Sequence, residues 1–171
     1  MIEDGGAADV LLLIGGASVG DRDVLRAVIA ELGAKIAFDR IAVQPGKPSW
    51  HARFADGRLV LGLPGNPASA FVCAHLLLEP LIAALLGRPS LCQPQAARLA
   101  VGLPASGPRE IWWRATLVID EAGQRIVTPD SRRDSSLQRP LAEANALLCQ
   151  PAGTELVCGE TVQVIALDRS S

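Results

Sequence analysis

Two patterns of apolar residues divide this chain. Near the start, Asp9-Val10-Leu11-Leu12-Leu13-Ile14 is apolar without a break after its first residue, and Gly15-Gly16 ends the run. A short continuous run bounded by glycine predicts a parallel strand buried on both faces. Leu25, Val28, Ile29 and Leu32 then recur at helical spacing, predicting a helix of about ten residues with Ser18 and Asp21 at its start and Gly33 at its stop. Residues 36–43 read as a strand and Pro45-Gly46-Lys47-Pro48 as a turn. Residues 49–54 and 58–61 read as two more strands, joined around Asp56-Gly57.

Next comes Leu59-Val60-Leu61-Gly62-Leu63-Pro64-Gly65-Asn66-Pro67-Ala68-Ser69-Ala70, which predicts a buried strand, a stiff corner and the start of a helix. Pro64 and Pro67 fix φ, Gly65 is the position expected to take positive φ, and Pro67 suits the first helical turn. Residues 68–86 form an apolar helix, expected to be buried over much of its surface and stopped by Gly87-Arg88-Pro89. Beyond residue 90 the period changes. Short β-like runs at 98–103, 111–120, 125–129, 146–151 and 161–167 alternate with turn residues, predicting a small all-β sandwich or barrel. The expected division is residues 1–90, an α/β domain, and 91–171, a β-domain, with the boundary at 89–95.

Composition narrows the function classes. The 171 residues carry a net charge of -2, with nine acids and eight bases on each side of Ser90, so neither half is basic enough for nucleic acid. No apolar run approaches the roughly 18 residues of a membrane span. The opening Met1-Ile2-Glu3-Asp4-Gly5-Gly6 is unlike a signal peptide, which makes the cytoplasm the expected location. Cys73, Cys92, Cys149 and Cys158 contain no C-x-x-C pair, and His51 and His75 stand apart, which argues against a zinc site. Cys73 and His75 read as core residues of the apolar helix.

Chemistry gathers in three loops. Gly16-Ala17-Ser18-Val19-Gly20 fits the G-x-S-x-G elbow of a serine hydrolase, with Ser18 as nucleophile. Both histidines come early for such a triad, and the β-domain has none. The competing reading is an anion site: glycines admit a phosphate to the backbone, and a helix N-terminus supplies free N–H groups and partial positive charge. A nucleotide P-loop is excluded, because Gly46-Lys47 is followed by Pro48 and lacks its upstream glycine. Asp23, in the first helical turn, either complements the dipole or holds Mg2+ beside a phosphate. Lys47 is one of two lysines among sixteen basic residues, in a short proline-bounded turn. It reads either as a solvated turn charge or as a residue with a specific role.

Together, Gly15-Gly16-x-Ser18-Val19-Gly20-x-x-Asp23, Pro45-Gly46-Lys47-Pro48 and Gly62-Leu63-Pro64-Gly65-Asn66-Pro67-x-Ser69-Ala70 resemble the MoeA/gephyrin family of molybdopterin molybdotransferases. The likeness continues through Arg109-Glu110-Ile111-Trp112-Trp113-Arg114, Ser135-Ser136-Leu137 and the Ala144-Asn145-Ala146-Leu147 segment, and covers about positions 8 to 168. It implies part of a three-layer, MogA-like α/β molybdopterin-binding domain followed by a small all-β barrel or sandwich. The implied activity is the Mg2+-dependent insertion of molybdate into adenylylated molybdopterin, with AMP displaced. By matching position, the resemblance gives Asp23 to the metal and the pterin phosphate. It makes Asp23 and Lys47 the catalytic candidates, and Gly15, Gly16, Ser18, Gly20, Pro64, Gly65, Asn66 and Pro67 the substrate-binding ones. Arg109, Arg114 and Ser135 are secondary contacts. Alternatives to that activity are a non-catalytic molybdopterin-binding scaffold and the Ser18 hydrolase.

The sequence also departs from the family pattern. Ile14 stands where a hydroxyl residue is usual, and Gln44 where lysine is common. The family's long N-terminal portion and its Thr-Gly-Asp-Glu loop are not found, so the chain looks like the C-terminal part of such a protein, cut inside a domain. An incomplete sheet and a dimeric family predict self-association, as a homodimer or with a complementing N-terminal portion.

Overall fold

The structure, a computed structural model, describes residues 8–15, 24–130 and 144–167. Its first layer is a four-stranded sheet in the order β1-β5-β4-β2, built from β1 (Val10–Ile14), β2 (Lys35–Phe38), β4 (Trp50–Arg53) and β5 (Leu59–Leu63). β1 and β5 run parallel, with Ile14 beside Leu63, while β4 is antiparallel to both β5 and β2. The hairpin expected around Asp56-Gly57 joins β4 to β5, closed by Phe54 N–H to Arg58 O and Gly57 N–H to Phe54 O. The sheet is therefore mixed, and one pair of strands carries its parallel character.

Helix α1 (Val24–Glu31) covers one face of the sheet. Ile29, Trp50, Ala52 and Val60 form the core there, with Leu11 and Leu13 of β1 packed against it. Burying a side chain such as Ile29 contributes about 1.5–3 kcal/mol. The opposite face holds Leu61 and Leu63 against the long helix 67–85. That helix does not reach β1, so Leu12 is 37% and Ile14 61% exposed. The expectation of a strand buried on both faces is thus wrong for β1 on this side, because the second covering layer stops short of it.

Three further elements differ from the sequence reading, one of them being the run expected at 98–103, which forms as Pro94–Leu99. The strand expected over 36–43 ends at Phe38. The charged pair Asp39-Arg40 leaves the sheet, and Asp39 meets Arg26 of α1 at 3.4 Å. Val43–Gln44 then forms a separate strand, β3, in the other domain's sheet. The long helix has the expected extent but is not uniform: α2 (Pro67–Cys73), a π-turn (Ala74–Leu78) and α3 (Glu79–Leu85) follow one another. Pro80 has no N–H to give to the preceding turn, and a widened π-turn absorbs that gap. At 19 residues with mean hydropathy 1.8, helix 67–85 is long and apolar enough to cross a membrane, contrary to the reading of apolar runs alone. Its apolar faces have another use here, since Phe71, Val72 and Leu76 meet the β-domain while Cys73, Leu77 and Leu81 meet the sheet.

The β-domain resolves the choice between sandwich and barrel. β7 (Glu110–Ile119), β8 (Arg125–Pro129), β6 (Pro94–Leu99), β10 (Thr161–Ala166) and β9 (Ala146–Gln150) pair in that order, and β9 returns to pair with β7. Closure leaves no open edge within this ring of five strands. Leu99, Val127, Leu148 and Val164 fill the interior. Gln150, fully buried, accepts from Trp113 Nε1 at 2.9 Å and donates to the carbonyls of Pro104 (2.9 Å) and Thr154 (2.8 Å).

Two contacts fasten the domains together. Val72, Leu147, Ile165 and Leu167 form a shared core with Trp112 and Cys92. In addition, β3 lies parallel to the start of β7, Val43 beside Glu110 and Gln44 beside Ile111.

Candidate ligand-binding site

Strand directions bring the sequence-predicted loops to one edge of the first sheet. β1 and β5 are parallel neighbours, so Gly15 and the Pro64–Pro67 corner leave the sheet side by side. Gly15 N–H extends the ladder by donating to Leu63 O at 3.1 Å. Beyond it the backbones almost touch, and a Cβ on Gly65 would lie 3.2 Å from the Cα of Gly15. Gly15 takes the positive φ, at 89°, and Gly65 does not. The expectation for Gly65 is therefore corrected: its lack of a side chain serves close approach, not a left-handed turn.

The corner itself is rigid. Pro64 is buried, and Pro67 opens α2. Asn66 caps the helix, its Oδ1 accepting from Ser69 N–H at 3.1 Å and from Ser69 Oγ at 3.3 Å. Such a corner leaves a helix N-terminus facing the same edge, which favours an anion. Gly16, Ser18, Gly20 and Asp23 lie outside the described residues, as does Ser135.

The Lys47 turn reaches this edge from the next strand. β4 runs antiparallel to β5 with Trp50 beside Gly62, so the residues before Trp50 lie past the C-terminal end of β5. Gln44-Pro45 is a cis peptide. Ser49 N–H closes the turn on Gly46 O at 2.9 Å, and Lys47 O accepts from Ile41 N–H at 3.0 Å. The Lys47 side chain is exposed.

Arg109 and Arg114 occupy a neighbouring position. They line a cleft of about 340 Å³ between the domains, whose other walls include Gln44-Pro45, Ala68 and Val72. Arg114 is buried and Arg109 half-buried. Ile111, Trp112, Trp113 and Asp130 complete the wall; Trp112 Nε1 donates to Glu110 Oε1 at 2.6 Å. The arginines thus meet the Pro45 side of the lysine turn, while the Gly15–Gly65 contact is separate from the cleft's lining. Sequence reasoning missed Gln44, Ala68, Val72 and Trp112 as cleft residues. Trp112 and Trp113, aromatics between two arginines, carried a signal for it, as did Gln44 beside the lysine turn.

Other candidate nucleophiles and bases are occupied or suppressed. His75 Nδ1 sits 2.9 Å from Phe71 O, with its ring against Phe71; the residue is half-buried on the helix surface and not in the core position expected of it. His51 stacks on Phe38, and burial followed by the nearby Arg53 lowers its pKa. Burial raises the Cys73 thiol. Burial and then the Glu79 carboxylate push Cys92 up to about 11, and burial and then Glu110 do the same to Cys149. Among the described residues no group of three or more His, Cys, Asp or Glu is placed to hold a metal.

With this geometry in hand, comparison with known families is decisive. Residues 2–84 match the probable molybdopterin binding domain, and residues 96–167 match the MoeA C-terminal region, domain IV. The chain is 36% identical over 163 residues to the Bacillus subtilis molybdopterin molybdenumtransferase, covering 93% of this chain and 37% of that protein.

The chain belongs to the MoeA family. The Haemophilus influenzae molybdopterin molybdenumtransferase is 34% identical over 164 residues, which cover 92% of this chain and 39% of that one. A crystal structure of the Pyrococcus horikosii molybdopterin biosynthesis MoeA protein superposes with a TM-score of 0.76 at 28% identity, covering 98% of this chain and 39% of its own. The chain therefore spans well under half the length of these MoeA relatives. Within the MoeA pair of domains, the β1–β5 edge belongs to the molybdopterin-binding match, and the arginine strand to domain IV.

Proposed function

We propose that this chain acts in molybdenum cofactor biosynthesis as a molybdopterin molybdotransferase, in which Mg2+-assisted molybdate displaces AMP from adenylylated molybdopterin. One observation supports the reading: the contact of Gly15 with Gly65 brings the ends of β1 and β5 and a helix N-terminus to one edge, with the lysine turn beside them. In open α/β sheets ligands bind at such an edge, and bare backbone suits a phosphate.

Under this reading Gly15, Gly16, Ser18, Gly20 and the Pro64-Gly65-Asn66-Pro67 corner receive the pterin phosphate. Lys47, Arg109, Arg114 and Ser135 supply cationic and hydroxyl contacts to oxyanions. Arginine suits this role through its fixed fork of donors, and lysine through a compact mobile charge. A single carboxylate, Asp23, fits Mg2+ because that ion is commonly held by one or two carboxylates plus phosphate oxygens. When bound, Mg2+ would neutralise phosphate charge as AMP leaves. The relatives' names support work on a small molybdopterin substrate; the reading adds a cytoplasmic location and, as partner, a second copy or a complementing N-terminal portion.

A second reading is a molybdopterin-binding scaffold without catalysis, which the match of residues 2–84 to the probable molybdopterin binding domain supports by itself. Titrating molybdopterin into the chain with and without Mg2+, followed by pterin fluorescence and a molybdate-insertion assay, separates the two. For the enzyme, Asp23→Ala abolishes insertion and the Mg2+ dependence of binding. Unchanged binding with no insertion by the parent chain supports the scaffold, and no saturable binding by the folded chain sinks both.

A further inference from the structure

One fully buried sulfur touches the lysine turn at three points. Ser49 Oγ donates to Cys73 Sγ at 3.4 Å, and Cys73 S–H donates to Pro45 O at 3.9 Å. Between them Gly46, with φ at 129°, rests directly on the sulfur: a Cβ there would fall 2.5 Å from Sγ. Cys73 and Ser49 are both 0% exposed. We propose that Cys73 and Ser49 are positioning residues that hold the Pro45–Pro48 turn, and with it Lys47, in place to contact an oxyanion.

The argument rests on what a thiol offers at this point. The helix wall needs a group small enough to let Gly46 lie against it, yet able both to accept from Ser49 and to donate to Pro45 O. Cysteine packs as a small apolar residue with a weak donor and acceptor, so it meets all three conditions inside an apolar core. The thiol stays protonated because burial opposes the thiolate. Its packing neighbours Leu61 and Leu63 belong to β5, the strand that leads into the Pro64–Pro67 corner. One side chain therefore sets the turn against the strand whose end forms the other half of the edge. On its far side the turn is held by β3 on β7. Lys47 lies between these two fixings, and its exposed ammonium needs no packing of its own.

The inference rests on the reading of Lys47 as an oxyanion contact, so the experiment includes that residue. In the full chain, Cys73→Ala, Ser49→Ala, Cys73→Ser and Lys47→Ala are compared by calorimetric titration with molybdate. Hydrogen exchange is followed at the amides of Ile41 and Ser49, each bonded within the turn. Cys73→Ala and Ser49→Ala should speed exchange at both amides about tenfold and weaken molybdate binding several-fold, with β1 and β5 amides unchanged. Cys73→Ser, which keeps a small donor and acceptor, should restore both readouts to within about twofold of the parent. Normal turn exchange in Cys73→Ala would overturn the proposal, as would a loosened turn with unaltered molybdate binding. If Lys47→Ala binds molybdate like the parent, the Lys47 reading itself fails, and the purpose assigned to Cys73 and Ser49 falls with it.

Discussion

Replacing Gly65 with alanine tests the strand-end edge most directly. The added Cβ meets the Cα of Gly15 at 3.2 Å, a few tenths of an ångström inside ordinary contact, and meets Gly15 N at 3.9 Å. Both are backbone atoms, and the same Gly15 nitrogen is already committed to Leu63 O at 3.1 Å. No flexible side chain can swing away, so either the β1 end or the Pro64–Pro67 corner must shift. Overpacking of this kind costs about 1–3 kcal/mol. Gly65 is itself exposed, so a shift of the corner outward relieves part of that cost while displacing the Asn66-capped helix start. A displacement that weakens phosphate contacts by about 1.4 kcal/mol lowers affinity tenfold. Gly107→Ala is the control, since nothing lies within 4 Å of its added Cβ and its φ is not in the positive range. It should leave both stability and binding unchanged. The assays are urea denaturation and molybdopterin titration by pterin fluorescence. Gly65→Ala binding molybdopterin with parental affinity would refute the assignment of this edge to the ligand.

Two further outcomes concern the parts that hold the site. Gln150→Leu removes one acceptor and two donations from the barrel interior, so it should cost about 2–4 kcal/mol in urea denaturation; a loss below about 0.5 kcal/mol would show that the network adds nothing beyond its volume. Glu79 accepts from Ser90 Oγ and from Leu91 N–H at 2.9 Å, and these bonds, the Ser90 one foremost, lower its pKa below 4.5. A lowered folded-state pKa means the carboxylate's contribution is present above that ordinary value and is lost as pH falls through the folded one. The urea midpoint of the parent chain should therefore drop on acidification below pH 4.5, and Glu79→Gln should lack that part of the drop.

Much of the architecture was legible because local chemistry and fold agree. The β4–β5 hairpin followed from Asp56-Gly57, the long helix from its apolar run and Gly87 stop, and four of the five barrel strands from their turn spacing; the run expected at 98–103 formed at Pro94–Leu99 instead. The Pro45–Pro48 and Pro64–Pro67 corners were legible for the same reason, since glycine and proline punctuate strand ends. What could not be read is pairing across distance. Val43–Gln44 belongs to the barrel because β7 offers it hydrogen bonds, which no local pattern encodes. Gly65 looked like a turn glycine, and only the approach of Gly15, fifty residues earlier, reveals its role. Cys73 was legible as core, but its contact with the lysine turn depends on Ser49 and Gly46 from another element.

The strand β3 also means that the boundary in the chain and the boundary in the hydrogen bonds are different lines. Cutting the polypeptide near residue 90 would sever one covalent link, yet it would also strip Val43–Gln44 from β7. A barrel expressed alone would bare backbone groups at Glu110 and Ile111, and apolar surface at Trp112, Leu147, Ile165 and Leu167. Swapping that barrel between relatives would carry over its arginines while leaving behind the strand that abuts them. A chimaera that respects the fold has to exchange residues 43–44 along with the barrel, as one discontinuous unit.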